Sequence, residues 1–442
     1  MTAVEAAPSV VASTSMGTGA ASVGAMPSVG VRRVLLAEPR GFCAGVEMAI
    51  KALAWMVERF EPPVFCYHDI VHNDLVVELF EAAGVVFVDD VDEVVPGAPL
   101  MLSAHGTAPA VVAAAEARAG VVVDAACPLV TKVHHEVRTR AARGDTVVYV
   151  GHAGHDEAIG TMAVAPEAVR LVESVDDVAA LDAPDGPVAL LSQTTLAVEE
   201  WSDVRAAVLD RFGDVWGPVR SDLCFATTNR QAALRALVPQ VDAVVIIGSP
   251  TSSNTNALER LAHEAAAASG ERGGAGGEAR DVDDGDDDGG SGRGEGELRV
   301  VRIDAADDLP ADLIDGRSVV GLTAGASVPE GVVRSVLDRL APIEGVEAVR
   351  AVDEDEYFPL PRQLRALLPR EAVVADRAIG AGEVLDRLAA RVAASASATD
   401  AAVVAASTGG RPANDGVIAG GSQEVDAVSD VGEASFVDEA ER

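Results

Sequence analysis

Three of the four cysteines stand in matching positions along the chain. Cys43, Cys127 and Cys224 each open a predicted helix, where the helix dipole and free N–H groups stabilise a thiolate and lower its pKa. Three converging thiolates are typical of a soft metal or an iron–sulfur cluster, and three ligands on a four-iron cubane leave one iron open to a substrate. Zinc is the competing metal, but the sequence lacks the close cysteine pairs of structural zinc motifs. Cys66 lies within a predicted strand outside the pattern, so we interpret it as a core residue.

A second group of polar residues lies in loops that follow predicted strands. Histidines, hydroxyl groups and an amide beside Gly-rich backbone suit phosphate oxygens when they converge on one site. These candidate binding residues are His72, His105, His155, Thr194, Ser252, Ser253, Asn254 and Ser327.

Two carboxylates, Asp156 and Glu157, follow His155 directly. Glu157 has the longer side chain and the longer reach into such a site. Desolvation beside an anionic ligand would raise the pKa of Glu157, which makes it the candidate proton donor.

A threefold internal repeat positions these residues. Each unit contains a cysteine that opens a helix, short apolar strands, an acidic turn and two polar loops. His72, His155 and Ser252 follow their respective cysteines at nearly the same distance in the sequence. The predicted units span residues 31–126, 127–223 and 224–345.

The alternation of strands and helices predicts an α/β fold, with one small and mostly parallel sheet in each unit. Loops at the carboxyl ends of parallel strands gather on one face of a sheet and carry ligands. Three such units around a pseudo-three-fold axis would form a trefoil-like arrangement. We therefore expect the three cysteines to meet at its centre, in an iron–sulfur site.

The remaining segments have their own composition. Residues 1–30 form a leader that we predict to be disordered, and the acidic, Gly-rich insertion 270–297 cannot bury enough apolar surface to order itself. Residues 346–370 are expected to pack on the core. Residues 371–442 are predicted to be a mostly disordered tail.

Composition narrows the possible partners. The chain has 442 residues, a hydrophobic content of 49% and a formal net charge of −36, which argues against a nucleic-acid or anionic-membrane partner. No apolar run is long enough for a membrane helix, and the leader does not match a secretory signal or a transit peptide. We expect a cytoplasmic protein with free thiols. Phosphate-loop and dinucleotide fingerprints are absent from the sequence, so electrons must come from another protein.

Several ordered motifs resemble those of the 4-hydroxy-3-methylbut-2-enyl diphosphate reductase family, also called IspH or LytB. The resemblance extends over roughly residues 31–345 and, more loosely, over Tyr357 to Arg362. It rests on Pro39–Val46, Val71–Asn73, Ser103–Gly106, Ala126–His134, Gly151–Glu157, Gln193–Thr195, Cys224–Arg230, Ser252–Asn254 and Thr323–Ser327.

The resemblance implies reduction of (E)-4-hydroxy-3-methylbut-2-enyl diphosphate to isopentenyl and dimethylallyl diphosphates, the last step of the methylerythritol phosphate route to isoprenoids. It implies one [4Fe–4S] cluster, held by Cys43, Cys127 and Cys224, whose open iron takes the substrate hydroxyl. Glu157, with Thr194 near that hydroxyl, would deliver a proton. A ferredoxin- or flavodoxin-type protein would donate electrons. The implied diphosphate ligands are His72, His105, His155, Ser252, Asn254 and Ser327, with Ser253 close by.

Two alternative functions are compatible with the same residues. A non-redox [4Fe–4S] hydratase would use the open iron as a Lewis acid. A non-enzymatic module that binds a phosphate ligand would leave the cysteines inert. Iron and sulfide content, together with the dependence of turnover on a reductant, separates these alternatives from a reductase.

Overall fold

The computed structural model describes residues 30–184, 186–219, 221–274 and 298–408. The leader before residue 30, residues 275–297 of the insertion and residues 409–442 of the tail lie outside this range. The chain divides into two compact units, Met1–Val392 and Ala393–Arg442, and the described residues of the second are helical. Within the described ranges, no helix has the length and apolar character needed to cross a membrane.

Strands form where apolar residues, many of them β-branched, run without interruption, as is typical of strands buried on both faces of a parallel sheet. The segment Ala243–Ile247, for example, is buried at every residue. The strands are β1 (Arg33–Glu38), β2 (Val64–Tyr67), β3 (Val85–Val88), β4 (Pro99–Leu102), β5 (Val121–Asp124), β6 (Thr146–Val150), β7 (Val169–Val172), β8 (Val188–Ser192), β9 (Val215–Trp216), β10 (Ala243–Ile247), β11 (Arg299–Ile303), β12 (Val319–Ala324) and β13 (Val346–Arg350).

Among the described residues these strands form three sheets, and every strand pairing in them is parallel. The strand orders are β3–β2–β4–β5 in the first sheet, β7–β6–β8–β9 in the second and β11–β10–β12–β1–β13 in the third. The prediction of an α/β fold with three small parallel sheets is confirmed.

The first strand joins a different sheet from the one that the repeat predicts. β1 falls within the predicted unit 31–126, yet it pairs with β12 and β13 in the third sheet. The strands that precede the other two cysteine motifs, β5 and β9, pair with β4 and β8 at the end of the sheet before them. β1 likewise precedes a cysteine motif, and its partners are strands of the last unit. The first and the last unit of the repeat therefore share a sheet.

Three of the helices begin immediately after the predicted ligand cysteines. Cys43, Cys127 and Cys224 are the N-cap residues of α1, α4 and α8, which confirms that each cysteine opens a helix. The helices are α1 (Ala44–Arg59), α2 (Asp74–Ala82), α3 (Pro109–Arg118), α4 (Pro128–Ala141), α5 (Asp156–Met162), α6 (Val175–Ala180), α7 (Val198–Phe212), α8 (Phe225–Leu237), α9 (Ser253–Gly274), α10 (Glu330–Leu340), α11 (Arg362–Leu367), α12 (Arg370–Asp376) and α13 (Ala381–Thr408).

The structure contradicts the prediction of a mostly disordered tail for residues 371–408, because most of them lie in the helices α12 and α13. Ala381, Leu385 and Leu388 of α13 are buried in the apolar cluster that also contains much of α1. Many Ala, Ser and Asp residues surround these three apolar residues in the sequence. The composition of the whole tail therefore does not reveal their helical spacing. Cys66 is fully buried in the same cluster, which confirms it as a core residue.

A buried ion pair also attaches this C-terminal segment to α1. Lys51 Nζ lies 3.1 Å from Asp376 Oδ2 and donates to the Asp376 carbonyl at 2.7 Å. Trp55 Nε1 donates to Asp376 Oδ1 at 3.1 Å.

Asp376→Ala should lower the free energy of unfolding by about 3–5 kcal/mol, because it leaves the Lys51 ammonium buried without its counter-charge. Urea unfolding of the anaerobically purified protein measures the loss. Asp386→Ala removes an exposed carboxylate from α13 and serves as the control. A loss below about 1 kcal/mol, the range of exposed pairs, would contradict the burial of this pair.

Candidate active site

One cavity brings together the three cysteines, the candidate binding residues and Glu157. The space between its walls is about 770 Å³, and this figure includes a part that is open to solvent. The predicted residues in its wall are Cys43, His72, His105, Cys127, His155, Glu157, Thr194, Cys224, Ser252, Ser253, Asn254 and Ser327.

Strand topology explains why these residues meet. The loops with His105, His155 and Thr194 follow the carboxyl ends of β4, β6 and β8, and the loop with Ser327 follows β12. Since the strands within each sheet are parallel, their carboxyl-end loops lie on one side of that sheet. Each of the three sheets therefore contributes loops to the same cavity.

The sulfurs of two of the cysteines, Cys43 and Cys127, lie close to Gly45 in the first turn of α1. A Cβ atom added at Gly45 would lie 2.9 Å from Cys127 Sγ and 3.8 Å from Cys43 Sγ. On the third cysteine, Cys224 Sγ accepts a hydrogen bond from Thr227 N at 3.3 Å and lies 3.0 Å from Thr227 Oγ1. The absence of a side chain at Gly45 leaves room for these sulfurs and for a group bound between them.

The pKa values of two thiols differ from the prediction. Burial raises the pKa of Cys224 to about 12, and the nearby Cys43 thiol adds to this effect. Burial and Cys43 also raise the pKa of Cys127 above its ordinary range. Desolvation thus outweighs the helix N-terminus for both of these thiols. If the three cysteines bind a group as thiolates, a multivalent cation must balance their charge, and their soft donor set fits an iron–sulfur cluster.

Three histidines from three loops share one region of the wall. The ring of His72 stacks on that of His105 at 4.1 Å, and His155 lies edge-on to His72 at 5.4 Å. Burial lowers the pKa of all three, to about 4 for His155, so the imidazoles are neutral at neutral pH.

The histidine nitrogens are available to a ligand. Glu157 N donates to His155 Nδ1 at 3.2 Å, which places the proton of a neutral His155 on Nε2. His155 Nε2 and His72 Nε2 are buried and have no hydrogen-bond partner in the part of the chain that the structure describes. Buried polar atoms of this kind are normally satisfied, so they point to a bound polar group.

Glu157 is 2% exposed and is hydrogen-bonded to Thr194, in the loop that follows β8. Thr194 N donates to Glu157 Oε1 at 2.8 Å, and Thr194 Oγ1 donates to Oε2 at 2.9 Å. Burial raises the pKa of Glu157 to about 7 even though these hydrogen bonds lower it. Its carboxyl can therefore hold a proton near neutral pH.

Asp156 has the opposite character. Burial opposes ionisation there, but the hydrogen bond to His68 and the neighbouring histidines bring the pKa of Asp156 down to about 2. Asp156 is thus a carboxylate at neutral pH, which favours Glu157 as the proton donor of the two.

Ser253 and Asn254 begin α9 at the cavity wall. Gln193 Nε2 donates to Ser253 Oγ at 3.1 Å. Ala326 N donates to Asn254 Oδ1 at 2.9 Å, and Asn254 Nδ2 donates to Thr227 Oγ1 at 3.3 Å. These contacts fix the orientation of the Asn254 amide, whose NH₂ group is directed toward Thr227.

Sequence reasoning missed three residues of the site. Thr227 touches Cys224, and Phe358 lines the cavity from the C-terminal segment. Arg230 is fully buried and donates to the Gly41 carbonyl at 2.7 Å, which ties α8 to the loop before Cys43. The spacing of Thr227 and Arg230 after Cys224 places all three on one face of α8, and this spacing was the available signal.

Several known proteins are similar to this chain over most of its length. The family model described as LytB protein matches residues 34–270. A 4-hydroxy-3-methylbut-2-enyl diphosphate reductase from Methylibium petroleiphilum is 44% identical over 336 residues, which cover 75% of this chain and 92% of that protein. A reductase of the same name from Rhodopirellula baltica is 41% identical over 343 residues, covering 77% of this chain and 98% of that protein.

A solved structure is also similar. It is described as the E-1-hydroxy-2-methyl-but-2-enyl-4-diphosphate reductase from Plasmodium falciparum, with a TM-score of 0.67 and 27% sequence identity. The match covers 79% of this chain and 100% of that one.

Proposed function

Because the chain belongs to the LytB protein family, we propose that the cavity is the active site of an iron–sulfur reductase. The chain reduces (E)-4-hydroxy-3-methylbut-2-enyl diphosphate to isopentenyl and dimethylallyl diphosphates, in the non-mevalonate route to isoprenoids. The overall reaction uses two electrons and two protons, breaks the C–O bond of the hydroxyl group and releases water. One observation supports the proposed site best: three cysteines and a buried glutamate with a raised pKa line the same cavity.

Cys43, Cys127 and Cys224 would hold one [4Fe–4S] cluster. When bound, the cluster supplies electrons and an iron with an open coordination position for the substrate hydroxyl. The chain's own contribution is to orient the three sulfurs through the N-termini of α1, α4 and α8.

The diphosphate would bind to the polar residues of the cavity wall. His72, His105 and His155 offer imidazole nitrogens, and the hydroxyl or amide groups of Ser252, Ser253, Asn254 and Ser327 complete the set. Imidazole, hydroxyl and amide groups can surround phosphate oxygens as hydrogen-bond donors. The short loops that follow the strands hold these donors before substrate arrives, which lowers the entropic cost of binding.

Glu157 would deliver the proton that allows the hydroxyl group to leave as water. Its two oxygens are fixed by Thr194 N and Thr194 Oγ1, so the carboxyl group is oriented before substrate binds. Thr194 would also contact the substrate hydroxyl. A ferredoxin- or flavodoxin-type protein is the proposed electron donor, and the cytoplasmic location stays a prediction.

Metal and sulfide analysis of anaerobically purified protein tests the cluster, and turnover with dithionite tests the reaction. We expect four irons and four sulfides per chain, the content of one cubane, with product formed only in the presence of the reductant. A preparation without iron and sulfide would exclude the reductase. Turnover that does not depend on the reductant would indicate a hydratase instead.

The pH dependence of kcat/KM should follow Glu157. The pKa is raised from its ordinary value to about 7, so the acid form predominates below pH 7 and is lost above it. We therefore expect kcat/KM to fall as the pH rises through about 7. Thr194→Val removes a hydrogen bond that stabilises the carboxylate, so it should move this fall to higher pH. A fall that stays at the same pH in the variant would assign it to another group.

Gly45→Ala should reduce the iron content to less than about half of the wild-type value, because the new Cβ overlaps Cys127 Sγ at 2.9 Å. Gly382→Ala is the matched control, since a Cβ there meets no atom of the described residues within 4 Å. Equal iron in the two variants would show that the first turn of α1 can shift to accept the side chain.

A further inference from the structure

The carboxylate of Asp156 lies between histidines of two different loops. Asp156 Oδ1 is 3.0 Å from His68 Nδ1, and Asp156 Oδ2 is 3.8 Å from His105 Nδ1. Neither Asp156 nor His68 lines the cavity, whereas His105 does. Asp156 can therefore act on a ligand in the cavity only through another residue.

His68 holds this carboxylate in place from the side away from the cavity. It has a φ of 57°, a backbone conformation that residues other than glycine rarely adopt and that costs about 1–3 kcal/mol. Its ring stacks on Tyr67 at 4.1 Å. The hydrogen bond with Asp156 raises the pKa of His68, with contributions from Asp89 and Asp69. These contacts offset the backbone cost and fix the direction of the Asp156 side chain.

His105 has no such hydrogen-bond partner among the described residues. Its Nδ1 is buried and has no hydrogen bond to any residue that the structure describes. The titratable groups around it are His72, His155, His68 and Asp156, and Asp156 is the carboxylate among them. Burial and the neighbouring imidazoles lower the pKa of His105, while Asp156 acts in the opposite direction.

An anionic ligand changes this balance. A diphosphate against the Nε2 side of His105 favours the imidazolium form, which then carries a hydrogen on Nδ1 as well. That hydrogen faces Asp156, and a small rotation of the ring shortens the 3.8 Å separation to a hydrogen bond of about 3 Å.

We propose that Asp156 is a positioning residue for substrate binding, which accepts the Nδ1–H of His105 when the diphosphate occupies the other side of the imidazole, so that binding takes up a proton. The proposal rests on the proposed role of His105 as a diphosphate ligand. In this proposal Asp156 contributes to the affinity for substrate, and Glu157 contributes to the chemical step.

Calorimetric titration of the cluster-loaded full chain with inorganic diphosphate tests the proposal. Titrations at neutral pH in two buffers of different ionisation enthalpy give the number of protons exchanged on binding. His72, His105 and Asp156 also place ligand atoms within 4.8 Å of one another, so all solutions contain EDTA to prevent binding through a metal ion. Asp156→Asn keeps the shape and removes the charge. Glu78→Gln removes an equal charge from an exposed position on α2 and is the control.

We expect Asp156→Asn to bind inorganic diphosphate about tenfold more weakly and to take up fewer protons than the wild type, since the loss of a nearby counter-charge shifts the His105 equilibrium by at least about one pKa unit. The KM for substrate should rise by a similar factor with kcat within about twofold, and Asp156→Glu should restore part of the proton uptake. Glu78→Gln should match the wild type.

Two results would count against different claims. Wild-type proton uptake and affinity in Asp156→Asn, at full iron content, would overturn the role of Asp156. A wild-type protein that does not bind inorganic diphosphate would instead overturn the proposed diphosphate site.

Discussion

Glu157→Gln should lower kcat at least about 100-fold while iron and sulfide contents stay at the wild-type level, because the amide keeps the shape of the side chain but cannot donate an acidic proton. General acid catalysis of this kind is worth about 10²- to 10⁴-fold in rate. Glu157 is buried, is fixed by two hydrogen bonds from Thr194 and has a pKa raised to about 7, all of which favour this role. Single-turnover assays with dithionite measure the chemical step, and metal analysis reports the cluster.

The neighbouring carboxylate provides the matched comparison for this variant. Asp156→Asn should change KM far more than kcat, whereas Glu157→Gln should do the reverse. If Glu157→Gln retained near-normal rates, Glu157 would have no part in proton delivery, and Asp156 would be the next candidate.

Cys224→Ser should prevent assembly of the intact cluster and lower the activity at least about 1,000-fold. Serine offers a harder, less acidic donor than a thiolate, and the cluster would keep only two cysteine ligands. The visible absorbance of the cluster and the iron content per chain are the measurements, both made under anaerobic conditions. The remaining fold is checked by circular dichroism, because loss of the cluster must be distinguished from loss of the protein.

Cys66→Ser is the control, since it makes the same atomic change at the fourth cysteine. Cys66 is buried in the apolar cluster of α1, and burial raises the pKa of its thiol above the ordinary range. The variant should keep full cluster content, at a cost of about 1–3 kcal/mol in stability from the buried hydroxyl. Loss of iron in Cys66→Ser but not in Cys224→Ser would mean that the ligand cysteines are wrongly assigned.

Sequence patterns predicted the local features of this fold well. Continuous apolar runs such as Val64–Tyr67 and Thr146–Val150 form strands, because strands buried on both faces of a parallel sheet need such runs. The repeat predicted that cysteines open helices and that polar loops follow strands. These relations are set within a few residues, so sequence alone carries them.

Contacts between segments far apart in the chain could not be predicted from the sequence in the same way. The place of β1 in the third sheet depends on strands about 300 residues later, and nothing in Arg33–Glu38 itself specifies that partner. The pKa values of Cys127 and Cys224 depend on burial, and the position of a cysteine at the start of a helix does not reveal how buried it is. Arg230 stood in a recognised motif, but its bond to the Gly41 carbonyl required the tertiary structure.

The position of β1 has a consequence for the order of events during biosynthesis. The loop that carries Cys43 is hydrogen-bonded to the end of β12 and the loop after it, with Gly41 N donating to the Ala324 carbonyl and Cys43 N to the Ala326 carbonyl. The ribosome synthesises those partners last among the three repeats. A nascent chain that already displays Cys43 and Cys127 therefore cannot yet hold Cys43 in place. Loading of iron and sulfide must follow synthesis of the third repeat, and the early cysteines stay exposed to oxidation until then.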